Sequence, residues 1–146
     1  MSYNQALSAY RETRVRTASQ GSLIVMLYEE AIKQLGAAIE LMDDDFRKNT
    51  GRIELINNHI LKTQEIITEL MASLNMEAGE IAANLLALYT YFNQQLIEAN
   101  IEKKPEKLQF IRNMMDQLRQ AWAEAVNTTA NTTPAQKAPA GIDIAG

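Results

Sequence analysis

The chain has 146 residues, no cysteine and a net charge of −4. That length fits one domain, able to bury roughly two-thirds of its unfolded surface. The missing thiols exclude disulfides, iron–sulfur clusters, thiolate zinc and cysteine nucleophiles, and the acidic balance argues against nucleic acid, whose phosphates need a concentrated basic face.

The N-terminus has no apolar run of the signal-peptide kind, and no stretch approaches the ~18 apolar residues of a membrane span. The expected location is the cytosol, with no membrane insertion. Asn127-Thr128-Thr129 and Asn131-Thr132-Thr133 match a glycosylation sequon, but without secretion they are chance products of a Thr-rich tail.

Residues 1–20 read as a cationic strap, in which Leu7, Tyr10 and Val15 stand among Arg11, Arg14 and Arg16 with only Glu12 opposing them. From residue 21 glycine and proline become scarce and β-branched alternation is absent, which points to helix. Ser19 can cap the first helix, over 21–46, by accepting from an unpaired first-turn N–H. Leu23, Leu27, Ala31, Leu35, Ile39, Met42 and Phe46 recur there every three or four residues. Asp43-Asp44-Asp45 falls in its last turn, where the helix dipole disfavours carboxylates. It lacks the alternating ligands and later Glu of a calcium loop, so it reads as surface charge.

A second helix over 52–74 carries Ile53, Ile56, Ile60, Thr63, Ile67, Leu70 and Leu74 at helical spacing. A third over 79–100 carries Ile81, Leu85, Leu88, Phe92, Leu96 and Ala99. The fourth, over 105–127, opens with Pro105, suited to a first helical position, and repeats Leu108, Ile111, Met115, Leu118, Trp122 and Ala125. The breaks between them are short, which makes consecutive helices antiparallel neighbours. The expected fold is all-α, an antiparallel four-helix bundle over 21–127. Residues 128–146, small and polar with two prolines, are expected to form a disordered tail.

Nothing in this frame supports catalysis. His59 is the only histidine, and a di-iron bundle needs two Glu-x-x-His pairs, whereas position 56 is Ile. No Ser-His-acid set, nucleophile elbow or phosphate-binding glycine loop can be assembled. The chain is expected to hold no metal and no cofactor and to be no enzyme.

The bundle does carry surplus apolar surface. About three apolar positions in seven suffice for a bundle helix. The first helix adds a second row at Ile24, Tyr28 and Ile32, and the third adds Ala82, Leu86, Tyr89 and Ile97. Wide burial, within the bundle or in a homodimer, would account for these rows. So would a groove receiving a partner's amphipathic helix, which Met26, Met71, Met76, Met114 and Met115 would make adaptable.

Several strings resemble the FliS family of flagellar secretion chaperones. "AYRETRVRTASQGSLIVMLYEEAI" is similar to its opening signature, a Tyr, then Val-x-Thr-Ala-Ser, then Leu-Ile-x-Met-Leu-Tyr. "KTQEIITEL", "SLNMEAGEIAANLLALYTYFNQQLIEAN" and "LRQAW" resemble later stretches in the right order, so that the likeness spans residues 6 to 125. Gln20 stands where the family commonly has proline, Thr63 replaces Ala, and Ala78-Gly79 replaces a Gly-Gly pair.

The resemblance implies a four-helix bundle that binds the disordered C-terminal segment of flagellin, which folds into helices on its surface. Covering that segment prevents premature polymerisation, and the complex is presented to the export gate of the flagellar type III secretion apparatus. The groove implied comprises Ile24, Leu27, Tyr28, Ala31 and Ile32, with Ile81, Leu85, Leu88 and Tyr89 opposite; spacing does not settle which of these face the core. A regulatory bundle sequestering another flagellar protein, such as an anti-sigma or assembly factor, is the alternative. Leu7, Tyr10 and Val15 are too few for a core of their own, so the strap is expected to fold back over part of the groove with its arginines in water.

Overall fold

The computed structural model describes residues 20–130, and the expectations placed on the strap, the Ser19 cap and the tail beyond 130 lie outside them. Four α-helices make up the bundle: α1, Gln20–Leu41; α2, Thr50–Ala72; α3, Glu80–Glu102; and α4, Pro105–Ala130. Short 3-10 turns, Phe46–Lys48 and Met76–Ala78, sit in the first two connections. Each helix packs on its chain neighbours, and α1 closes the ring against α4, leaving α1 and α3 on one diagonal. The helix α1 is the best packed, pressed extensively against both α2 and α4, whereas α3 leans lightly on α2 and least of all on α4.

Most of the expected apolar positions form the core, whereas Ile81 of the third row is 40% exposed and Leu85, Leu88 and Leu118 are half-buried. Leu23, Leu27, Ala31, Leu35, Ile56, Ile60, Ile67, Leu70, Phe92, Leu96, Leu108, Ile111 and Met115 are all buried. Thr63, inside the second row, is also buried, and its hydroxyl donates to the carbonyl of His59 (2.9 Å). That bond answers the polar atom within the same helix.

The boundaries differ from expectation at the first connection. Helix α1 stops at Leu41, five residues before Phe46. The Met42 N–H turns back to the carbonyl of Ile39 (3.0 Å), and the Asp43 carboxylate accepts from the Asp45 N–H (3.1 Å) and pairs with Arg52. A short carboxylate that bonds nearby backbone offers the chain an alternative to helix, so the aspartates end α1 outright instead of fraying its last turn. Phe46 is still buried, but a 3-10 turn carries it inward, with the Arg47 guanidinium 4.9 Å above its ring. Helix α2 correspondingly begins earlier, at Thr50, where the Asn49 side chain accepts from the Arg52 N–H (3.1 Å).

At the third connection Lys103 ends α3 in the left-handed region (φ 56°), its N–H returning to Ala99 (2.7 Å). Arg47 reaches across to donate to the carbonyls of Glu102 and Lys103 (3.1 Å each), a cation on the negative end of the helix. Gly79 opens α3 at φ 85°, a conformation a side chain would strain; it is the glycine kept in the Ala78-Gly79 pair. Helix α4 runs on through 128–130, three residues into the stretch expected to be tail.

Candidate partner-binding face

The lightly packed seam between α3 and α4 leaves apolar side chains half open. At one end of the seam the Lys107 ammonium donates to the carboxylates of Glu98 (2.7 Å) and Glu102 (3.2 Å), fixing which flanks of the two helices face each other. Stepping from those residues by three and four along each helix, as neighbours on one face must lie, leads to Tyr91, Leu88 and Ile81 on α3. On α4 it leads to Phe110, Met114 and Leu118. Tyr91 is 44% exposed, Ile81 40% and Phe110 49%, while Leu85, Leu88, Met114 and Leu118 are half-buried against the core. The result is an apolar trough, half-buried at its floor and half-exposed along its rim.

The opposite flank of α3 carries another apolar row. The Asn93 amide lies 3.8 Å from the Met71 sulfur, setting the antiparallel register of α3 on α2. One and two turns further along α3 from that contact come Ile97 (52% exposed) and Ile101 (77%). Between Glu80 and Glu98 helix α3 has no charged residue at all. Its outer face carries the exposed, uncharged Asn84, Thr90 and Gln94, with apolar side chains open along both flanks.

The groove residues implied by the resemblance divide into two sets. Ile81, Leu85 and Leu88 lie along the trough, and Ile32 is half-buried on α1. Ile24, Leu27, Tyr28, Ala31 and Tyr89 are at most 2% exposed and sit inside the bundle, offering no surface to a partner in this conformation. The second row of α1 is taken up by the bundle's own closure, because α1 has neighbours pressed on two sides. Tyr91 and Phe110 were absent from that set. The uncharged run of α3 is the sequence signal that points to Tyr91; Phe110 falls outside the main apolar row of α4 and is found only from the seam.

Inside the bundle, beneath the trough, lies a polar contact. The hydroxyls of Tyr28 and Tyr89 hydrogen-bond across the α1–α3 diagonal, with ring centroids 6.4 Å apart and planes at 52°. Trp122, on α4, is buried too and lies close to Tyr28. Burial pushes both phenols up, Tyr89 to about 12, so both are neutral donors at physiological pH.

Among the described residues no group of three metal-ligating side chains comes together, and no helix is long and apolar enough to cross a membrane. His59 is part-buried, its Nδ1 2.6 Å from Gln34 Oε1.

The family described as flagellar protein FliS matches residues 3–129. The chain is 30% identical over 128 residues to the flagellar secretion chaperone FliS of Bacillus subtilis (strain 168), covering 88% of this chain and 91% of that one. It is 31% identical over 138 residues to the FliS of Campylobacter jejuni (93% and 100% covered) and 28% over 121 residues to that of Escherichia coli K12 (79% and 82%).

Proposed function

The chain belongs to the FliS family of flagellar secretion chaperones, and from that premise we propose that its client is flagellin, bound through the α3/α4 trough. In this reading the disordered C-terminal segment of flagellin lays an amphipathic helix along Ile81, Leu85, Leu88, Tyr91 and Phe110. The chaperone works in the cytosol, keeps that segment from polymerising, and presents the complex to the flagellar export gate. It does so by binding alone, without catalysis.

The observation that carries the reading is the trough itself: the helix with the longest uncharged run has the lightest packing and an open flank. Burying apolar area there drives association, and a helix-in-groove partner supplies the 3–4 spacing that matches it. A disordered client gives up conformational entropy on binding, so much of the gross interaction free energy is offset by ordering.

The test is to mix the protein with the isolated C-terminal segment of flagellin. Circular dichroism should show more helix than the sum of the separate components, and calorimetry a strongly negative heat-capacity change. Helicity equal to that sum would sink folding-on-binding. A pull-down from cell extract in which another export-linked protein, and not flagellin, is the dominant near-stoichiometric partner would replace the client.

A further inference from the structure

We propose that Tyr28 and Tyr89 are positioning residues: their hydroxyls form a buried polar latch that holds α3 at a set distance from α1 and so fixes how wide the trough stands. This inference rests on the reading of that trough as the client site. Three observations converge on it. The bond joins α1 to α3, and α3 is the helix that comes least close to its neighbours. Tyr89 follows Leu88 directly and lies one turn beyond Leu85, so the latch sits under the side chains that line the trough. Both members are buried, Tyr28 at 0% exposure and Tyr89 at 1%.

Apolar contacts in the core are non-directional and tolerate sliding; a hydrogen bond is lost within a few tenths of an ångström. The latch therefore specifies a spacing in a way that the rest of the α3 core cannot. Two phenols bring two hydrogens, and their one contact uses only one. Such a pair contributes little net stability, so its value lies in geometry.

The test compares Tyr28→Phe, Tyr89→Phe and the double variant in the full-length protein. Either single variant removes the contact and strands the other hydroxyl, and the double variant removes both hydroxyls. The expected result is faster amide exchange, roughly tenfold, along α3 in Tyr28→Phe, with the central amides of α2 nearly unchanged. Trp122 is the only tryptophan, and its emission should shift in Tyr28→Phe more than in Tyr89→Phe. Affinity for the flagellin segment should fall roughly threefold to tenfold in Tyr28→Phe, the size expected of one lost buried hydrogen bond. The double variant should lose less than the product of the single losses. Equal acceleration of exchange in all four helices, or no acceleration in α3, would overturn the latch. So would multiplicative losses in the double variant. Exchange and emission need no client, so failure of the wild type to bind flagellin would refute the client reading while leaving the latch to be judged on those two measurements.

Discussion

His59 on α2 and Gln34 on α1 are joined side chain to side chain, Nδ1 to Oε1 at 2.6 Å. Because the Gln34 amide nitrogen donates to Glu30 (2.9 Å), its oxygen is left to accept, which places the imidazole hydrogen on Nδ1. Burial first, and then the charge of Lys62, hold the His59 pKa below the ordinary histidine value of 6.5. The folded state therefore binds fewer protons than the unfolded chain once pH drops below about 6.5. Above that value His59 is neutral in both states and withdraws no stability. Below it stability is lost until the folded pKa is passed. Urea unfolding at about pH 7.5 and about pH 5 should show His59→Gln losing less stability on acidification than the wild type. Equal losses in the two proteins would contradict this.

Truncation of the trough should separate binding from folding. Tyr91 and Phe110 are close to half exposed, so Tyr91→Ala and Phe110→Ala should change stability by only about 0.5 kcal/mol, as at other surface sites. Each should weaken binding of the flagellin segment by about 1–3 kcal/mol, the range for an aromatic anchor at an interface. Leu55→Ala, equally exposed but on α2, is the control and should leave affinity unchanged. Calorimetric titration of the three variants decides; an effect of Leu55→Ala as large as that of Phe110→Ala would remove the trough from consideration.

Binding should be nearly indifferent to salt. Helix α3 has no charge between Glu80 and Glu98, and Glu98 and Glu102 at its far end already pair with Lys107. From about 0.05 to 0.5 M salt the screening length shrinks severalfold, yet client affinity should change by less than about threefold. A steep fall with salt would mean that charged residues outside the trough carry the interaction.

The Asn49 cap should be worth a measurable share of stability. Its side-chain oxygen accepts from the Arg52 N–H at the start of α2, one of the first-turn donors with no partner inside the helix. Asn49→Ala should cost about 1 kcal/mol and Asn49→Asp much less, since Asp caps equally well. Thermal unfolding of the pair checks this; equal losses in both would show that the cap is not the source.

The helical fold was legible because it is written in local rules. Spacing alone named Leu23, Leu27, Ile56, Ile60, Phe92, Leu108 and Ile111 as inward residues, and all are buried. Short breaks in the apolar rhythm placed the turns to within a few residues. The exception was the end of α1, where Phe46 kept the apolar rhythm after the aspartates had already broken the helix. A periodic pattern does not reveal whether the backbone between two of its positions is helical.

The division of the surplus rows was decided only in three dimensions. Tyr28 and Tyr89 occupy second-row positions much like Ile97, yet the tyrosines are sealed inside and Ile97 is 52% exposed. Helical spacing gives each side chain an angle about its own axis, and that angle is all the sequence determines. Whether a side chain at that angle meets protein or water depends on how closely the neighbouring helix approaches. Here α1 is pressed between α2 and α4 while α3 leans lightly on its neighbours, so the extra row of α1 became core and that of α3 was divided between core and open surface.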